Sequence, residues 1–383
     1  RGFSTLTQFT AFSHDISMNL DAGYLIDVII IDFSRAFDTV IHSKLLHKLN
    51  KILNNPQLVH WISCFLSNRS QFVCFDSVAF FLAKITSGLP QGSILGPLLF
   101  SLYVNDLPDI VHCKIRLYAD YCVLYHVIHS PSDHILLNDS FESFCNWCRS
   151  WQMNITYKKT VFMSFTNKLV LSDFNYSFNG LSLLRVYQYK YLGVLFTPNL
   201  SWSHHIDYIT PKALKKLCYL WRTLSAAPSD TKLTVYKTLI RPVLEYASPV
   251  WNPYNQCEVK QIESVQKKAI RFIFRRYDSA FSPTSPLPSL NLALLSSRRN
   301  IESLKLLHSI IYSTCKLSKD LYLTCSRPSS TRQYHPLNMT PFYARTNTFK
   351  FSFFPRTVEL WNNLSGDIRS LPLNEFLLSI NTL

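Results

Sequence analysis

The sequence predicts an α+β fold in which a sheet carrying acidic residues precedes a region of basic helices. Residues 24–33 (YLIDVIIIDF) are apolar on both faces, as is typical of a buried central strand. Residues 115–128 have the pattern of two strands joined by a turn at Asp120. From Trp202 onward, apolar residues lie three and four apart with Lys and Arg between them, which indicates amphipathic helices. The 383 residues, of which 47% are apolar, suffice for two or three domains.

The remaining elements follow from hydrophobic periodicity and from turn residues. In order, we expect a helix within 34–53, a helix from Pro56 through Phe65, short strands at 71–75 and 80–85, a helix at 93–104, the hairpin around Asp120, a helix at 133–152, a strand at 160–165 and a strand pair around 191–194.

The charge is concentrated in the second half of the chain. The 39 basic and 24 acidic residues leave a net charge of +15, of which residues 1–200 carry +2 and residues 201–383 carry +13. Such an excess favours a polyanionic partner. We rank nucleic acid before membrane lipid, because no single helix concentrates cations beside a large apolar face. The basic helices are therefore expected to lie against a phosphate backbone, and a solvated bundle is the alternative.

Several other classes of protein are disfavoured. The longest uncharged stretch, 85–105, could span a bilayer by its length, but its glycines and prolines predict a turn and a short helix. The chain begins with Arg1 and has no apolar signal segment, so we expect a fragment of a longer reading frame. Ten irregularly spaced cysteines predict reduced thiols in an intracellular protein. Cys145 and Cys148 lie in a helical pattern, and we expect buried cysteines there before a metal site.

Two carboxylates stand at strand ends. Asp32 closes the apolar strand and Asp120 lies at the hairpin tip, so the two could meet on neighbouring strands of one sheet. A buried Asp32 would need a cation. Phosphoryl transfer by two metal ions uses carboxylates placed in this way. Capping and salt-bridge roles are the alternatives.

Six motifs occur in an order that resembles one family. They are DVIIIDFSRAFDTVIHSKLLHKL (27–49), SNRSQFV (67–73), SGLPQGSILGPLLFSLYVNDLP (87–108), LYADYCVLY (117–125), WCRSWQMNITYKKTVFMSF (147–165) and YKYLGV (189–194). Together they resemble the reverse transcriptases of non-LTR retrotransposons, especially jockey-like elements. RGFSTLTQF at the start and FFPRTVELWNNL (353–364) extend the resemblance over almost the whole chain.

The resemblance implies a right-hand polymerase with partial fingers, a ferredoxin-like palm and a helical thumb. Such an enzyme copies an RNA template into DNA by adding deoxynucleoside triphosphates to a primer 3′ end, with Mg²⁺ or Mn²⁺. No membrane partner is expected. The implied domains are partial fingers and palm (1–200), a basic helical thumb (201–280), a Pro/Ser-rich linker (281–290) and a C-terminal region of the element's reading frame (291–383).

The resemblance also assigns roles to single residues. Asp32 and Asp120 match the catalytic aspartates that bind metal. Phe37 matches the aromatic gate that excludes a 2′-hydroxyl group, and a core phenylalanine on the helix after the strand is the alternative. Lys159 matches the lysine that protonates pyrophosphate, with Lys158 as the competitor. The further matches are Phe33, Gln91 and Gly92 at the nucleotide and Tyr191, Leu192 and Gly193 at the primer grip.

The sequence departs from the family pattern at the hairpin. Tyr121 stands where the family has a second aspartate, so the motif reads YADY instead of YADD. A phenol is neutral at pH 7 and a poor ligand for magnesium, so metal affinity and rate are both expected to fall. Thr156 replaces a usual asparagine, and the basic fingers residues that grip the triphosphate are expected upstream of Arg1.

These departures predict a truncated and decayed copy of a mobile element. They leave three functions open: an RNA-directed DNA polymerase, an inactive nucleic-acid-binding relic of the same element, and an RNA-dependent RNA polymerase. The last usually lacks a bulky gate at the position of Phe37. No targeting signal is visible, and a nuclear or cytoplasmic location follows only from what such elements do.

Overall fold

The computed structural model describes residues 4–168, 173–326 and 335–381. These residues form two compact units, which we call the sheet unit (24–187) and the helical unit (4–23 and 188–381). The predicted partial fingers and palm (1–200) include residues 4–23 and 188–200, which here cluster with the helical unit. The reason is a set of aromatic contacts in which Phe9 and Phe12 pack against the ring of Tyr191 at 5.8 and 5.6 Å. The functional labels of the four predicted domains stay predictions.

Most strands are short, whereas β1 and β7 have eight residues each. In chain order the strands of the described residues are β1 (Leu25–Asp32), β2 (Ser70–Gln71), β3 (Cys74–Phe75), β4 (Val78–Ala79), β5 (Ala83–Lys84), β6 (Lys114–Tyr118), β7 (Tyr121–Ile128), β8 (Val161–Phe165), β9 (Ser177–Phe178), β10 (Leu181–Ser182), β11 (Leu184–Arg185), β12 (Tyr189–Tyr191) and β13 (Val194–Phe196).

The helices range from single turns to 21 residues. In chain order those of the described residues are α1 (Thr5–Asp21), α2 (His42–Ile52), α3 (Pro56–Leu66), α4 (Leu95–Tyr103), α5 (Pro131–Trp151), α6 (Ser203–Thr223), α7 (Ser229–Val235), α8 (Arg241–Glu245), α9 (Ser248–Trp251), α10 (Gln256–Phe274), α11 (Leu295–Ile311), α12 (Lys319–Tyr322), α13 (Asn347–Lys350), α14 (Phe353–Asn362), α15 (Gly366–Arg369) and α16 (Leu373–Asn381).

The main sheet of the described residues has the strand order β11-β8-β1-β7-β6. β1 lies at its centre and pairs antiparallel with both β7 and β8, and β6 and β7 form a hairpin. With helices between β1 and β6 and α5 between β7 and β8, four of these strands have the order and directions of a ferredoxin-like sheet. The predicted α+β class, the ferredoxin-like palm and the buried central strand are confirmed.

One hydrophobic core cluster packs against one face of this sheet. Alternate residues of β1, including Ile29 and Ile31, join side chains of α2 to α5 in one buried cluster. Cys145 and Cys148 belong to this cluster, as predicted, and burial raises the pKa of Cys145 to about 12. All ten cysteines are free.

Two predicted helices have different limits in the structure. The helix expected within 34–53 begins only at His42, because residues 34–39 form turns and Arg35 has a left-handed φ of 49°. One of the basic helices expected beyond Trp202 is divided into α7, a π-helical segment (Tyr236–Ile240) and α8. Pro242 in the first turn of α8 has no N–H group, which prevents a regular helical hydrogen bond there.

The uncharged stretch 85–105 contains α4, which has only nine residues. No helix among the described residues is long and apolar enough to cross a membrane.

His205 in α6 makes the stability of the helical unit depend on pH. Its ring is 1% exposed and packs edge-on against Trp251 at 5.1 Å, and its Nδ1 accepts a hydrogen bond from the backbone N–H of Leu195. Burial, and secondly the charge of Lys190, lowers the pKa of His205 to about 4. As the pH falls below about 6.5, the unfolded chain binds a proton on this histidine, whereas the folded chain binds it only near pH 4. Protonation therefore favours the unfolded chain, and the free energy of unfolding decreases as the pH falls through this range.

We expect His205 to remove about 3 kcal/mol from the free energy of unfolding between pH 7 and pH 4. Denaturant titrations at several pH values should show this slope reduced in His205→Asn, which keeps an acceptor but does not titrate. The adjacent His204 is exposed, so His204→Asn is the matched control and should keep the original slope. Equal slopes in the two variants would contradict the assignment.

Candidate active site

Asp32 is the last residue of β1 and forms the first part of the candidate site. Its side chain is 18% exposed, and the Nζ atom of Lys159 lies 3.2 Å from its Oδ2 atom. A carboxylate that is mostly withdrawn from water requires such a cation. The cation beside Asp32 in the structure is Lys159.

Asp120 lies at the tip of the β6–β7 hairpin, as predicted. The tip consists of Ala119 and Asp120, and Ala119 has a left-handed φ of 50° that reverses the chain. The next residue, Tyr121, is directly opposite Asp32 in the β1–β7 register. Asp120 is thus one residue from the position that faces Asp32, and the two carboxylate residues occupy the same end of the sheet.

Tyr121 is the residue of β7 that lies directly opposite Asp32. Side chains of directly opposed residues in an antiparallel pair lie on the same face with their Cβ atoms about 5 Å apart. The phenol therefore stands where a second carboxylate would lie beside that of Asp32. Among the described residues, no group of three or more His, Cys, Asp or Glu side chains could hold a metal ion. Asp32 and Asp120 remain as carboxylates, the hard oxygen donors that divalent ions such as Mg²⁺ prefer.

A turn bound to β1 positions Lys159. The N–H of Thr156 donates to the carbonyl oxygen of Asp32 at 2.9 Å, and the N–H groups of Lys159 and Thr160 donate to the carbonyl oxygen of Thr156. The backbone of Thr156 makes these bonds, so they form equally with threonine or with the asparagine that the resemblance implies. Of the two neighbouring lysines, it is Lys159 that forms an ion pair with Asp32.

Phe37 lies in the loop between β1 and α2 and not on a helix. Its ring is half-buried and stacks on Phe100 with ring centroids 4.6 Å apart, and its carbonyl oxygen accepts a hydrogen bond from Leu89. One part of the ring is packed and the other part is open. Phe33 is buried and packs against Phe144, so only its backbone could contact a nucleotide.

The loop that contains Gln91 is fastened to the Phe37 loop. The Nε2 atom of Gln91 donates to Oδ1 of Asp38 at 3.0 Å. At Gly88, which has a φ of +88°, a Cβ atom would lie 2.9 Å from the carbonyl oxygen of Asp38, so the two loops approach too closely for any other residue. Gly92 has a φ of +79° with open space beside it. The structure thus brings Phe37, Gln91 and Gly92 into one pair of connected loops.

A cavity of about 670 Å³ lies beside these loops, and its basic residues come from segments far apart in the sequence. Arg35, Arg69 and Lys84 line it, together with Asp38 and Gln91. Arg69 belongs to the SNRSQFV motif (67–73). Arg69 and Lys84 meet because β2 and β5 pair with Ser70 opposite Lys84. This strand register cannot be predicted from any local pattern in the sequence.

The predicted primer grip lies in the helical unit. Tyr191, Leu192 and Gly193 form the end of β12 and the turn into β13, with left-handed φ values of 44° at Leu192 and 97° at Gly193. The hydroxyl of Tyr246 donates to the carbonyl oxygen of Leu192, and the ring of Tyr191 is buried against Phe9. The turn is therefore firmly held within its own unit.

Sequence comparisons find one matching protein family and several similar proteins. The family described as "Reverse transcriptase (RNA-dependent DNA polymerase)" matches residues 7–196. The chain is 29% identical to the RNA-directed DNA polymerase from mobile element jockey of Drosophila funebris, a match that covers 63% of this chain and 28% of that protein. It is 28% identical to the probable RNA-directed DNA polymerase from transposon X-element of Drosophila melanogaster, over 71% of this chain and 31% of that protein.

Among solved structures, an apo telomerase from Candida tropicalis has 10% sequence identity and a TM-score of 0.45, over 82% of this chain and 50% of that one. The chain spans about a third of the length of the curated relatives that it matches.

Proposed function

Residues 7–196 form a reverse transcriptase domain of the non-LTR retrotransposon type, and on this premise we propose that the chain extends a DNA primer on an RNA template with deoxynucleoside triphosphates. The observation that carries the proposal is the register of β1 and β7, which places Asp32 and Asp120 at one end of the sheet. The ion pair between Asp32 and Lys159 adds a proton donor at the same place.

Reverse transcriptases normally use divalent metal ions, and Asp32 and Asp120 fit such ions by their chemistry. When bound, Mg²⁺ would neutralise the phosphate charge and lower the pKa of the primer 3′-hydroxyl group. Asp32 and Asp120 would supply the oxygen ligands. Tyr121 supplies a phenol in place of the third carboxylate.

The chain's other residues bind and orient the nucleotide. The open part of the Phe37 ring fills the space that a 2′-hydroxyl group would need, and Gln91, held by Asp38, presents its amide beside it. Arg35, Arg69 and Lys84 give the adjacent cavity three positive charges against the single carboxylate of Asp38, which suits a triphosphate.

The transfer forms one bond to phosphorus and breaks another. The primer 3′ oxygen forms a bond to the α-phosphorus and loses its proton to solvent water, and the bond from the α-phosphorus to the bridging oxygen of the β-phosphate breaks. Pyrophosphate leaves, and Lys159 donates a proton to it. Lys159 is suited to this step because its side chain is 71% exposed and its ammonium group is held at Asp32 by one ion pair.

A second function is favoured by one observation. Tyr121 removes a carboxylate opposite Asp32, so the chain could bind primer and template through its basic residues and catalyse nothing. In this relic the palm fold and the +13 charge of residues 201–383 persist. Its affinity for primer and template would fall steeply with salt, as expected for binding through phosphates.

Primer extension on an RNA template distinguishes the two functions. We expect weak incorporation, stronger with Mn²⁺ than with Mg²⁺, and complete loss in Asp120→Ala. Asp109→Ala removes the same charge from an exposed position of the sheet unit and should keep the wild-type rate. Absence of product from the wild-type chain together with salt-dependent binding would support the relic. Equal incorporation by the wild type and Asp120→Ala would contradict the metal-site assignment.

A further inference from the structure

A pocket of about 360 Å³ lies in the helical unit, away from any residue given a role above. It opens beside the C-terminal ends of α6 and α10 and the start of α7. Seven residues line it, and we call it the Trp221 pocket: Trp221, Ser225, Ala226, Lys232, Phe272, Arg275 and Tyr277.

Two cations and no acidic residue line the Trp221 pocket. Lys232 is 1% exposed, and its Nζ atom donates to the carbonyl oxygen of Ser225 at 3.1 Å. The guanidinium of Arg275 donates to the same carbonyl oxygen. Within the described part of the chain, neither cation has a carboxylate within 4.0 Å. The charge of the exposed Arg275 repels that of the buried Lys232, and an anion placed between them would relieve that repulsion.

The pocket also has a flat aromatic wall. The rings of Trp221 and Tyr277 are stacked with centroids 4.9 Å apart and an interplanar angle of 11°. Trp221 is 39% exposed and Tyr277 is 47% exposed, so much of this stacked pair is open to solvent. Exposed aromatic rings beside cations are the combination that proteins use to bind single strands of nucleic acid, by base stacking and phosphate pairing together.

We propose that the Trp221 pocket binds one unpaired nucleotide of a nucleic-acid strand. The base stacks on the Trp221–Tyr277 pair, and its phosphate lies between Lys232 and Arg275. The proposal rests on the proposed function only in taking a nucleic acid as the partner. It adds a site that prefers an unstacked base, whereas a uniformly basic surface would bind only the phosphate backbone.

The backbone at Arg275 allows a test that spares the fold. Arg275 ends α10 with a left-handed φ of 55°, a conformation that glycine adopts without strain. Arg275→Gly therefore removes the guanidinium while relieving the backbone, so the melting temperature should change little. Arg276→Gln is the matched control, because it removes the same charge from a side chain that is already paired with Asp278 at 3.2 Å.

The probes are a fluorescein-labelled 12-nucleotide oligo(dT), an abasic strand of the same length, and a 12-base-pair duplex. Fluorescence anisotropy is measured without metal ions or nucleotides, so the result does not depend on catalysis. We expect the wild-type chain to bind oligo(dT) about tenfold more tightly than the abasic strand. Arg275→Gly should weaken oligo(dT) binding about tenfold and Arg276→Gln less than threefold.

Trp221→Leu tests the stacking half of the proposal. It should lower the affinity for oligo(dT) to that for the abasic strand and leave duplex affinity unchanged. Equal binding of oligo(dT) and the abasic strand by the wild type would overturn the proposal, as would equal effects of Arg275→Gly and Arg276→Gln. Either outcome would leave primer extension and duplex binding as separate tests of the proposed polymerase.

Discussion

Tyr121→Asp is expected to raise RNA-templated incorporation of deoxynucleotides by roughly 100-fold, which corresponds to about 2.7 kcal/mol of transition-state stabilisation. The reason is the register of the sheet. Position 121 faces Asp32 directly, so an aspartate there adds a third carboxylate to those of Asp32 and Asp120. A third carboxylate increases the occupancy of divalent ions at the site, because a neutral phenol is a poorer ligand for Mg²⁺ than a carboxylate.

The experiment compares incorporation rates at several Mg²⁺ concentrations. Tyr121→Asp should raise the rate and also lower the Mg²⁺ concentration at which half of it is reached. Tyr121→Asn is the matched control, because it has the same size as aspartate without the charge, and it should show little gain. An equal gain in both variants would mean that the bulk of the tyrosine ring, and not the lost carboxylate, limits the wild-type chain.

The positions of the two aspartates could be predicted because they depend on local patterns. An apolar stretch that ends in Asp32 specifies a central strand, and two short strands around Asp120 specify a hairpin tip. The order of the strands in the sheet then brings the two residues to one end. Which of Lys158 and Lys159 lies beside Asp32 cannot be predicted from such local patterns. It follows from the hydrogen bond of Thr156 to Asp32 and from the turn that this bond begins, which no periodicity describes.

Other features depend on contacts between residues far apart in the sequence. The meeting of Arg69 and Lys84 in one cavity requires the pairing of β2 with β5. The late start of α2 follows from the left-handed backbone at Arg35, a residue type that rarely adopts it. Helix α1 belongs to the helical unit because Phe9 contacts residues some 180 positions later, such as Tyr191. Hydrophobic patterns identify such side chains as buried but do not identify their partners.

Phe37→Val, made in a chain that already carries Tyr121→Asp, is expected to raise ribonucleotide incorporation relative to deoxynucleotide incorporation by roughly 10- to 100-fold. The ring of Phe37 is packed on Phe100 along one part and open along the other, and its backbone is fixed by Leu89. A ring held in this way cannot move aside for a 2′-hydroxyl group, whereas valine leaves space for one. The measured quantity is the ratio of kcat/KM for a ribonucleotide to kcat/KM for the matching deoxynucleotide.

The alternative, that Phe37 is only a core residue, makes a different prediction for the same variant. A core role would lower stability and reduce the use of both nucleotides in parallel, with their ratio unchanged. Phe33→Leu supplies the comparison, because Phe33 lies on the same segment but is buried against Phe144 and cannot present its ring to a sugar. Phe33→Leu should therefore lower the melting temperature without changing the ratio. If only Phe37→Val changes the ratio of ribonucleotide to deoxynucleotide kcat/KM, the ring of Phe37 is the group that excludes the 2′-hydroxyl. If the effect came from a loosened core, both variants would have the same ratio.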